Sequence, residues 1–122
     1  MSLQIPYQAG AGYQANQSGE TAETLVACLL ESLGFAVRRQ QIYGRNIYGG
    51  ELRVDIFLPE IELVIEVKWQ DRRGSTDEKF PYLVENLRRL PCRSVVVHGG
   101  GGARNGAIEW LAAQVDHEKL IA

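Results

Sequence analysis

The nineteen residues from Leu52 to Gln70, LRVDIFLPEIELVIEVKWQ, constrain this chain more than any other stretch. Two runs rich in Val, Ile and Leu, each of strand length, are joined by the short connection Pro59 to Glu62. They nevertheless contain Asp55, Glu66 and Lys68, and an apolar interior accepts such charges only when they are paired or bound. Strand side chains alternate faces, so Glu66 and Lys68 point the same way, and a tight hairpin brings Asp55 alongside them. Lys68 neutralises one of the two acids, and a divalent metal would balance the other; oxygen ligands suit Mg2+. An ordinary Glu66–Lys68 ion pair, with Asp55 at a strand end, is the simpler reading of the same spacing.

The segments around this hairpin give an alternating α/β pattern. Residues 1–17 show no sustained period and read as an irregular N-terminal arm, and residues 18–122 as one domain. From Ser18, the residues Ala22, Leu25, Val26, Leu29, Leu30 and Leu33 form a helical stripe that stops at Gly34. Three strands follow as an antiparallel meander. The polar loop DRRGSTDEK leads to a second helix carrying Phe80, Leu83, Val84, Leu87 and Leu90. That helix starts either at the capping-box pair Ser75 and Glu78 or close to Pro81. A buried strand, SVVVH, enters through this helical crossover and so pairs parallel with the third strand, before a glycine run and a last helix. The order αβββαβα implies a central mixed sheet of about four strands flanked by helices.

With 122 residues, 45% of them hydrophobic, the chain can bury one core. Its apolar runs are too short to span a membrane and no signal segment opens it, which points to the cytoplasm. Cys28 and Cys92 lack zinc-site spacing and read as buried free thiols. The net charge of -2 argues against a generally basic binder. Ten of the thirteen cations are arginine, however, with doublets at Arg38-Arg39, Arg72-Arg73 and Arg88-Arg89, which suit either a phosphate track or a solvated surface.

Asp55 in VD, followed after ten residues by Glu66-Val67-Lys68, resembles the signature of the PD-(D/E)XK nuclease superfamily, which includes restriction endonucleases and archaeal Holliday junction resolvases. The preceding helix, GETAETLVACLLESLGF, has the layout of the family's acid-bearing helix, and Glu23 lies nearer its apolar stripe than Glu20. Glu20 then serves the helix dipole. Gln70 matches a polar position that often follows the lysine in these nucleases. The run from Gly74 to Lys79 resembles a loop of some restriction enzymes in which Lys79 would meet a phosphate. The proline of the family name is Val54 here, at a position that varies and makes no metal contact.

The resemblance implies a restriction-endonuclease-like fold and a Mg2+-dependent DNA endonuclease, with Mn2+ able to substitute. Asp55, Glu66 and the Val67 carbonyl would hold the metal, Glu23 a second metal or its water, and Lys68 and Gln70 would complete the catalytic set. Arg45, Arg72, Arg73 and Lys79 are the expected DNA contacts. A homodimer is expected because cutting both strands usually needs two sites. The small size favours structure-specific or low-specificity cleavage; a sequence-specific restriction enzyme and a non-catalytic DNA-binding or assembly protein are the alternatives. The run VVVHGGGGARNG lacks the Gly-Lys-Ser/Thr ending of a triphosphate loop, so no nucleotide cofactor is expected. Tyr43 and Tyr48, flanking Arg45, could stack on bases or pack on the sheet.

Overall fold

Alternating apolar residues build the hairpin, and the rest of the sheet grows outward from it. The computed structural model describes residues 11–122, with side chains from Gly19 onward. Strand β1 (Arg38–Arg45) pairs antiparallel with β2 (Glu51–Leu58), and β2 antiparallel with β3 (Leu63–Trp69) through Ile56↔Ile65, Phe57↔Val64 and Leu58↔Leu63. Strand β4 (Arg93–Gly99) runs parallel to β3, in register from Leu63↔Arg93 to Trp69↔Gly99. A two-residue strand, β5 (Leu120–Ile121), adds to β4 and gives a mixed sheet of five strands in the order β1-β2-β3-β4-β5. It is one strand more than expected, because two residues carry no readable period. Asp116 builds its approach by accepting the backbone N–H groups of Glu118, Lys119 and Leu120.

Helix α1 (Ala11–Ser32) covers one face of this sheet. Its start corrects the expected irregular arm: residues 11–17 are helical and residues 1–10 lie outside the described part. That segment lacks an apolar period, yet Ala and Gln extend a helix already nucleated by the stripe that follows. Ala22, Val26, Ala27 and Leu30 pack against Ile56, Leu58, Ile65 and Val67. The buried stripe is therefore rotated from the expected one, leaving Leu29 and Leu33 exposed. The helix ends in a Schellman motif, with Gly34 at φ 96° and the Phe35 N–H bonded to the Leu30 carbonyl at 3.1 Å.

The opposite face carries α2 (Phe80–Arg89) and α3 (Asn105–Ala113). Phe80, Leu83, Val84 and Leu87 of α2 and Leu111 of α3 bury Val54, Phe57, Val64 and Val96. A short 3-10 turn at Asp77–Lys79 precedes α2, and Pro81 lies in the first turn, where its missing N–H is harmless. Both cysteines are free. No helix among the described residues is long and apolar enough to cross a membrane.

Candidate active site

The alternation of β2 slips once. Val54 and Phe57, three residues apart, both lie in the cluster beneath α2, and the ladder to β3 stops at Ile56↔Ile65. At the point where the strands part, Asp55 turns toward β3 and its Oδ2 accepts the Val67 N–H at 2.8 Å. A strand residue's N–H and C=O leave by the same edge, so the Val67 carbonyl also faces the gap beside Asp55.

Glu66 is buried in this gap. Burial, and then a hydrogen bond to and the charge of the Asp55 carboxylate, push its carboxyl up to about 9, against a weaker pull from Lys68. Lys68 Nζ stands 3.8 Å from Glu66 Oε2 and remains partly exposed. Glu66 therefore favours its protonated form at neutral pH, and added positive charge beside it would favour the ionised one.

On the α1 side, Glu23 Oε2 accepts from Arg39 Nη2 at 2.6 Å and Nε at 3.0 Å, and its Oε1 accepts from Gln40 Nε2 at 2.8 Å. The same Gln40 nitrogen reaches Asp55 Oδ1 at 3.5 Å. Glu23 therefore lies beside Asp55, linked to it through Gln40. Among the described residues no three His, Cys, Asp or Glu side chains converge as a metal-holding group. Gln40 adopts φ 52°, a left-handed conformation unusual for a side-chain-bearing residue, and such strain concentrates at functional sites.

Two cavities meet at Lys68 and Thr76. One of about 260 Å³ holds Glu20, Glu23 and Asp55 on the α1 side. The other, of about 350 Å³, holds Glu66, Lys79 and Tyr82 on the α2 side. Lys79 thus lines the cavity that reaches Glu66 and Lys68.

Gln70 does not join it. Strand β3 ends at Trp69, and the Gln70 side chain turns into the loops, accepting the Asp77 N–H at 3.0 Å and donating to the Gly102 carbonyl at 3.2 Å. It lines neither cavity. Arg45 binds its own turn through the Gly49 carbonyl at 2.8 Å, and Arg72 and Arg73 are exposed in the loop after β3. Sequence reasoning missed Gln40, Thr76 and the buried Asp77, whose carboxylate grips Arg104 at 2.7 Å and ties the loop before α2 to that before α3. The polar pair Gln40-Gln41 inside a strand was the signal available for the first; the others carried none.

No curated protein and no solved structure matches the chain significantly. A family model described as a PD-(D/E)XK nuclease superfamily domain matches residues 14–121, in agreement with the five-stranded mixed sheet and its flanking helices, and the chain belongs to that superfamily.

Proposed function

We propose that the protein is a Mg2+-dependent DNA endonuclease, structure-specific or of low sequence specificity, with Mn2+ able to replace Mg2+. The observation that carries this reading is the placement of Asp55 and the buried Glu66 on either side of Lys68, at the end of a strand ladder and open to two cavities. The donors fit a hard cation: two carboxylates and the Val67 carbonyl are oxygen ligands, and the pair cannot ionise fully without added positive charge. A divalent ion held there would lower the pKa of a bound water and stabilise charge developing on the phosphate.

The remaining work falls to the chain's own groups. Lys68 Nζ, in the wall shared by both cavities, orients the attacking water and assists loss of its proton. Gln40 keeps the Asp55 carboxylate turned to the gap and joins it to Glu23, which is the third acid of the site. Lys79 and the exposed Arg72 and Arg73 meet backbone phosphates. Low specificity is favoured because a single domain of 122 residues leaves little room for a separate sequence-reading module. A homodimer would bring two such sites to a duplex, and the exposed Leu29 and Leu33 face of α1 suits a second copy.

The test is incubation with plasmid, linear duplex, single-stranded and four-way-junction DNA, with Mg2+ or a chelator, beside Asp55→Asn. Cleavage should require the metal and disappear in the variant. Chelator-insensitive cutting, or full activity of Asp55→Asn, would refute the assignment.

A further inference from the structure

Tyr48 sits at the tip of the β1–β2 hairpin with 82% of its surface exposed, and Tyr82 lies opposite on α2 at 42%. Their rings stack with centroids 5.9 Å apart and planes 26° from parallel. Tyr43, earlier in the same hairpin, behaves differently: it stacks on Phe57 at 4.7 Å and packs against the core. The Tyr48 ring therefore contributes little to the interior, yet its backbone is held firmly. Asn46 Oδ1 accepts the N–H groups of Tyr48 and Gly50 at 2.9 and 3.1 Å, and the buried Asn86 of α2 accepts the Ile47 N–H at 2.9 Å. A rigid turn thus presents an aromatic pair to solvent.

Tyr82 also forms one wall of the 350 Å³ cavity that reaches Glu66 and Lys68, with Arg53 and Lys79 contributing positive charge along it. We propose that the Tyr48–Tyr82 pair and this cavity bind an unpaired nucleobase of the nucleic-acid substrate, adjacent to the phosphate handled by Asp55, Glu66 and Lys68. The assignment rests on the nuclease reading for its substrate, and on independent residues for its site. Ring faces take any base by stacking, while neighbouring cations track the backbone. A base within a duplex has both faces covered and must leave the stack to offer one. The volume lies at the lower end for small-ligand sites, which suits one nucleotide rather than a paired step.

The test is equilibrium binding in chelator by fluorescence anisotropy, comparing a blunt duplex with the same duplex carrying an unpaired extension that contains 2-aminopurine. The wild-type chain should prefer the extended substrate and quench its 2-aminopurine. Tyr48→Ala and Tyr82→Ala should each lose about tenfold affinity for that substrate, with little change on the blunt duplex, whereas Tyr82→Phe retains both affinity and quenching. Equal affinity for the two substrates, equal losses on both, or unquenched 2-aminopurine would overturn the proposal. So would a change of oligomeric state in the alanine variants, which would mark the rings as a contact between copies. Mg2+-dependent cleavage, measured in parallel, separates the two readings. Stacking without cleavage leaves the base site standing and defeats the catalytic assignment, and cleavage without stacking does the reverse.

Discussion

Burial and the Asp55 carboxylate together hold a proton on Glu66 up to about pH 9, while Lys68 stays 3.8 Å away with part of its side chain in solvent. With Glu66 holding its proton, the contact is not an ion pair, and a lysine so exposed adds little to stability. Removing Lys68 also strands no buried anion, because its neighbour is protonated when no metal is bound. On the proposed reading, its placement between the two cavities serves reaction rather than folding. Lys68→Ala should fold with wild-type stability, bind DNA within a few-fold, and lose about 10²–10⁴-fold in single-turnover cleavage rate, the range of a proton-handling group. Anisotropy in chelator and rapid-quench cleavage separate the two quantities; an equal loss in both would make Lys68 a phosphate contact only.

Between residue and fold stand the loops that follow β3 and β4. Gly100, at φ 96°, lies so near β3 that a Cβ there would sit 2.5 Å from the Gln70 carbonyl oxygen. Alanine at this position meets both left-handed strain and backbone that cannot yield, so Gly100→Ala should cost about 2 kcal/mol or more in urea unfolding and reduce cleavage without abolishing it. Wild-type stability in that variant would show that the loop has other ways to close. In the sequence the glycine run is only a break before the last helix; in the structure its Gly102 meets Gln70, thirty-two residues earlier, which no local pattern encodes. Gln70 illustrates the limit of a match by position, since it resembles the polar residue after the lysine, but β3 ends at Trp69 and its side chain turns into the loops. The hairpin was legible because two apolar runs and three misplaced charges, Asp55, Glu66 and Lys68, admit few arrangements. Helical register did not separate Glu20 from Glu23, since both line the cavity beside Asp55, and the partners of Glu23, Arg39 and Gln40, depend on how β1 crosses α1.

At the scale of the whole molecule, a net charge of -2 leaves nucleic-acid binding to local cations and makes overall stability sensitive to the acids gathered at the site. Glu66 supplies a pH dependence of defined sign. Unfolded, its carboxyl ionises near the ordinary value of 4.5; folded, it keeps the proton to about 9. Between those limits the unfolded chain binds fewer protons, so this group's contribution is full below pH 4.5 and is lost as pH rises through the window, levelling off above 9. Asp116, whose carboxyl is lowered by the backbone N–H groups it accepts, acts in the opposite sense and only at the acid end, outside this range. The metal-free protein should therefore show a melting temperature that falls with pH across the window, and Glu66→Gln should flatten most of that slope. If Mg2+ binds through both carboxylates, as proposed, the Glu66 proton must leave, so saturating metal should reverse the trend and raise stability more at pH 8 than at pH 6. Calorimetric titration with Mn2+ in buffers of different ionisation heat should register release of about one proton per metal at neutral pH, and none in Glu66→Gln. A buffer-independent heat for the wild type would mean that Glu66 is already ionised and that the Asp55–Glu66 pair is held together by some charge other than the metal.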